Sequence, residues 1–108
     1  METIAIVPQP PPRMVIEPYL LDTLMRDLVQ HDRSPSAYLV YLQLYRRTFG
    51  AESPSVSIAL LDIAEATGLS KRTVQSALAH LVYRRLIAVE RESMTSVPEY
   101  TVLRPWRR

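Results

Sequence analysis

Between Leu60 and Leu81 the chain reads LLDIAEATGLSKRTVQSALAHL, two short amphipathic segments on either side of Gly68. Two helices joined by so tight a turn must meet closely at a steep angle. That geometry needs a small residue where the first helix touches the second, and Ala64 stands there. It needs a residue tolerant of positive φ in the turn, which Gly68 supplies. Leu69 can then pass beneath the turn, and Ser70 can cap the second helix. Ile63, Val74, Ala77, Leu78 and Leu81 fall on facing sides at helical spacing and fill a shared core. Each requirement is weak alone; together they fix the register of both helices.

The flanking segments read just as locally. Residues 1–17 are a proline-rich flexible arm, because Gln9-Pro10-Pro11-Pro12 suits extended polyproline geometry and no helix. Pro18 opens a helix over 18–30, in which Leu20, Leu21, Leu24, Met25 and Leu28 form one apolar stripe. A second helix is expected over 34–50, capped by Ser34, with Pro35 in its first turn and Gly50 at its end. It is apolar nearly all round, the mark of a helix enclosed on more than one side. Its uncovered surface and the stripe of 18–30 together predict a homodimer through these two helices. Residues 55–58 read as a brief strand. Leu86–Arg91 and Val97–Leu103 read as a hairpin about the polar tip 92–96, with Pro98 near a strand start, where it is least disruptive. Residues 104–108 form a basic tail, expected to fray.

Composition narrows the function. The 108 residues include no cysteine, which removes thiol catalysis, thiolate metal sites and disulfides, and suits a reducing cytoplasm. The two glycines, Gly50 and Gly68, exclude glycine-rich phosphate loops. No apolar run is long enough to span a bilayer, and the N-terminus lacks the pattern of a signal peptide. His31 and His80 are the only histidines, and no cluster has metal-ligand spacing. No catalytic constellation stands out, so neither an enzyme nor a cofactor is expected. The net charge of +2 hides a basic C-terminal part: residues 70–108 carry eight basic groups, seven of them arginine, against three acidic ones. Arginine is the side chain suited to phosphate and guanine recognition.

The pattern Ile-Ala-Glu-x-x-Gly-Leu-Ser-x-x-Thr-Val-x-x-x-Leu-x-x-Leu over Ile63–Leu81, followed by strand, polar tip and strand, resembles the winged helix-turn-helix of DNA-binding proteins. That broad class includes MarR-type and GntR-type regulators and the N-terminal domains of plasmid replication initiators. The resemblance covers about residues 34–103 and implies a mainly α fold with a small antiparallel β wing, here with an extra N-terminal helix. One position departs from it. Many relatives have glycine just before the Leu-Ile that opens the wing, whereas this chain has Arg85. An arginine in left-handed geometry costs roughly 1 kcal/mol, so the helix is expected to end differently here.

The resemblance further implies that residues 70–84 form a recognition helix that enters the major groove of double-stranded DNA. At about 100° per residue, Arg72, Gln75, Ser76, Ala79, His80 and Tyr83 lie opposite the core face. Arg72 can then pair with guanine, and Gln75 with adenine, while Ser76 lies beside them. Ser70, Lys71 and Thr73 can hold a phosphate at the helix start. His80, Arg84, Arg85 and Arg91 are further candidate phosphate contacts, Arg91 being the only basic residue near the tip of the wing. The expected role is a small, cytoplasmic, sequence-specific transcriptional regulator. The alternatives are a replication-initiator-like domain and a winged helix that serves as a protein-interaction module.

Overall fold

The structure, a computed structural model, describes residues 13–49 and 53–107. It is mainly helical, with one small antiparallel sheet. The helices are an N-terminal segment over residues 18–31, α1 (Pro35–Arg47), α2 (Leu60–Thr67) and α3 (Lys71–Tyr83). The strands are β1 (Ser55–Ser57), β2 (Ile87–Glu90) and β3 (Glu99–Val102), in the order β1-β3-β2. The polyproline stretch, Gly50 and Glu52 lie outside the described residues.

The N-terminal segment contains two π-helical turns, Leu20–Leu24 and Asp27–His31. Four residues advance an α-helix by a little more than one turn and a wide π-turn by a little less. Alternating the two keeps residues four apart in line. Leu20, Leu24 and Leu28 are accordingly buried, and Leu21, Met25 and Val29 form a second, exposed ridge. The single stripe expected from α-helical spacing is therefore divided, with Leu21 and Met25 on the outside.

This segment folds back on α1. The Tyr38 hydroxyl donates to the Leu20 carbonyl at 2.7 Å. Ala37, Tyr38, Val40, Tyr41, Leu44 and Tyr45 are all buried, so α1 is the enclosed helix that its composition implies, and the cover comes from the same chain. Its ends differ from the expectation. Ser34 occupies the N-cap position but its side chain makes no capping bond. At the other end, Thr48 donates its backbone N–H to the Leu44 carbonyl at 3.0 Å and its hydroxyl to the same oxygen at 2.9 Å.

The turn between α2 and α3 is built as the sequence requires. Gly68 has φ 78° and its N–H reaches the Ala64 carbonyl at 2.9 Å. Ser70 caps α3 through the Thr73 N–H at 3.1 Å. Ile63, Ala64, Val74, Ala77, Leu78 and Leu81 are buried together, with Leu69 packed at the margin. At the far end of α3 the outcome differs from the expectation. Arg85 does adopt the left-handed conformation, φ 59°. Its N–H bonds the Val82 carbonyl and the Leu86 N–H bonds the Leu81 carbonyl, both at 2.9 Å. These are the paired bonds of a Schellman end, and the buried Leu81 and Leu86 supply its apolar contact.

β2 and β3 pair antiparallel from Ile87↔Val102 to Glu90↔Glu99, and β1 adds to the other edge of β3. Tyr100 and Val102 point into the core. Residues 104–107 do not fray: Trp106 stacks on Tyr19 at 4.5 Å, and its indole N–H donates to Glu17 at 2.6 Å. Arg104 and Arg107 pair with the same carboxylate at 3.0 and 2.9 Å. Arg104 also lies 3.7 Å over the Phe49 ring.

Candidate nucleic-acid interface

Helix α3 turns Val74, Ala77, Leu78 and Leu81 inward, which leaves Lys71, Arg72, Gln75, Ser76 and Ala79 exposed. Tyr83, at the far end of the same face, is 80% exposed. Ser70 and Thr73 are occupied with each other. Besides the capping bond, the Ser70 hydroxyl donates to the Thr73 hydroxyl at 2.9 Å. Lys71, Arg72, Gln75 and Ser76 have no side-chain partner among the described residues. A helix start with free backbone N–H groups and two free cations presents a concentrated positive field to an anion.

The other expected contacts are differently engaged. His80 and Arg84 face Asp32, at the end of the N-terminal helical segment. The His80 Nε2–H donates to Asp32 Oδ2 at 2.7 Å, and Arg84 donates to the same oxygen. His31 donates from Nδ1 to Oδ1 at 2.8 Å. The Asp32 side chain is only 5% exposed. Burial pushes its carboxyl up, but the hydrogen bonds from His31 and His80 and the charge of Arg84 outweigh this and hold it below the ordinary value. Arg91 lies in the β2–β3 tip and donates to the Met94 carbonyl at 3.3 Å.

Sequence reasoning did not single out Asp32. One signal was present. An acidic residue at a helix C-terminus runs against the macrodipole, so it needs a cation from elsewhere. α3 provides that cation.

Charge is segregated around α3. Residues 87–103 carry Glu90, Glu92 and Glu99 against Arg91, a net of −2, and α2 exposes Asp62 and Glu65. Residues 31–33 and 80–85 carry Arg33, Arg84 and Arg85 against Asp32, a net of +2. Among the described residues no group of His, Cys, Asp and Glu could hold a metal ion, and no helix is long and apolar enough to cross a membrane. Comparison with protein-family models, with curated proteins and with solved structures finds no match.

Proposed function

We propose that the chain is a winged-helix protein that binds double-stranded DNA sequence-specifically, as a small cytoplasmic transcriptional regulator, by inserting α3 into the major groove. The observation that carries this reading is the free polar end of α3. Lys71, Arg72, Gln75 and Ser76 are exposed and without a side-chain partner, at the end where recognition helices meet base edges. In this reading Arg72 takes guanine and Gln75 adenine, and Ser70, Lys71 and Thr73 hold the adjoining phosphate. α2 packs against α3 as the crossing helix, and β2–β3 is the wing. The negative charge of that wing favours contact through α3 rather than through Arg91. A homodimer would place two copies of α3 on a palindromic site, with the exposed ridge Leu21, Met25 and Val29 as its contact.

A second reading draws on the groove of about 550 Å³ between α3 and the β2–β3 tip, where Leu78, Ala79, Val82, Val89 and Val97 make the walls. An apolar segment of a partner protein would lie there if the domain served as an interaction module. In vitro selection from a random duplex pool, followed by a salt titration, separates the two. DNA recognition gives an enriched motif and an affinity that falls steeply with salt. No enrichment and a flat salt response would favour the interaction module.

A further inference from the structure

We propose that Arg33 and Arg85 form a second phosphate-binding point, so that the DNA backbone is gripped at both ends of α3. The inference rests on the DNA-binding reading; it adds Arg33 to it, pairs Arg33 with Arg85 in one anchor, and gives a direction of approach. Arg33 and Arg85 are the non-glycine residues with positive φ among those described, 54° and 59°. Each stands directly after a helix, where glycine adopts the left-handed conformation freely and an L side chain does not. For Arg33 the helix end is sealed by the Ser34 N–H, which reaches the Leu28 carbonyl at 2.8 Å. A disfavoured backbone conformation held twice by the same side chain type points to a use for that side chain.

The two sites are neighbours in space. Asp32, which precedes Arg33, accepts from Arg84, which precedes Arg85, so the two left-handed arginines flank one ion pair. A helix C-terminus favours a nearby cation, but Arg84 already supplies that charge at the end of α3. Asp32 is likewise satisfied by Arg84, His80 and His31. Arg33 and Arg85 are exposed and in no ion pair among the described residues. A shallow depression beside this ion pair is lined by Asp27, His31, Asp32, His80, Tyr83 and Arg84, so Asp27 adds an acidic side chain there.

The dimensions suit a duplex. The exposed face of α3 runs from Arg72 to Tyr83, about 16 Å at the α-helical rise. The major groove is about 12 Å wide, so a helix of that length laid across it would bring its two ends to phosphates on opposite walls. With the wing net negative, the outer anchor falls to the Arg33–Arg85 end.

Glycine separates this role from a structural one, because it relieves the backbone while removing the charge. Arg33→Gly, Arg85→Gly and the double variant are compared with the wild-type chain by thermal melting. Binding to a selected duplex and to an unrelated duplex is then measured across a salt series. The expected result is that both single variants melt higher than wild type. The double variant binds both duplexes roughly tenfold more weakly at low salt, with the salt slope reduced by about two phosphates. Arg33→Lys with Arg85→Lys should restore the slope. An unchanged slope in the double variant, or weaker binding accompanied by lower melting temperatures, would overturn this inference while leaving α3 as the reading helix. A wild-type chain that bound neither duplex would overturn the DNA-binding reading, and this inference with it.

Discussion

His80 and Asp32 stand 48 residues apart in the chain, yet the imidazole Nε2–H donates to the carboxylate at 2.7 Å. Through this bond, and the parallel one from Arg84, the end of the N-terminal helical segment is fastened to the last turns of α3. The last turns of the proposed reading helix are thus tied to a carboxylate outside α2 and α3.

That carboxylate sets an acid limit on stability. The folded-state pKa of Asp32 is lowered from its ordinary 3.8. A lowered folded pKa stabilises fully above the unfolded value, and the contribution is lost as pH falls through the folded one. Asp32→Asn should cost about 1–3 kcal/mol near neutral pH, since charge-assisted hydrogen bonds are lost. It should also flatten the fall in melting temperature below about pH 4. Melting curves from pH 2 to 7 for both proteins check this; parallel curves would contradict it.

Gly68→Val tests the turn between α2 and α3. Apart from Gly68 and its chain neighbours, nothing lies within 4 Å of where a Cβ would sit, so the penalty comes from the φ of 78° rather than from a clash at Cβ. A side chain in left-handed geometry costs about 1–2 kcal/mol, and a β-branched one fits worst. Chemical denaturation should register that loss. An unchanged midpoint would mean that the turn relaxes without strain.

Arg72 and Lys71 are adjacent and both exposed, but they are expected to fail differently. Arg72→Ala should cost about 1–3 kcal/mol at the best site and relax preference at one base pair. Lys71→Ala should weaken binding to every sequence and lower the salt slope by about one phosphate. Neither should shift the melting temperature, because neither side chain enters the core. Selection repeated with each variant reads the difference. An unaltered motif and affinity for Arg72→Ala would place the reading face elsewhere.

The proposed dimer makes a separate prediction. Met25 lies on the exposed ridge between Leu21 and Val29, away from the buried Leu24 and Leu28. Met25→Glu should leave the fold intact and convert a dimer into a monomer in sedimentation velocity runs. A wild-type chain that stayed monomeric at high concentration would rule the ridge out as the contact.

What could be read in the sequence was local. Ala64, Gly68, Ser70 and Val74 lie within a few residues of the partners they serve, so spacing alone revealed the turn, the cap and the facing core of α2 and α3. The hairpin came from alternation and a polar tip in the same way. The features that spacing did not reveal join distant segments. Asp32 meets His80 and Arg84 across 48 and 52 residues, and no local pattern marks such a pair. The exposure of Leu21 and Met25 depends on wide turns that α-helical periodicity does not foresee. Arg85 takes the left-handed geometry against the preference of its side chain, because sealing the helix end outweighs the strain on one residue, and that balance is not visible in local spacing.

Glu17 and Trp106 are 89 residues apart, and their hydrogen bond brings the two ends of the described chain to one point. The domain is therefore closed like a ring with a clasp. Polypeptide entering before Glu17 and leaving after Arg107 would emerge side by side, so the fold could be spliced into a longer protein as a cassette without forcing the flanking pieces apart. A short linker across the clasp would equally make a circular permutant, with new termini opened in the exposed tip between β2 and β3.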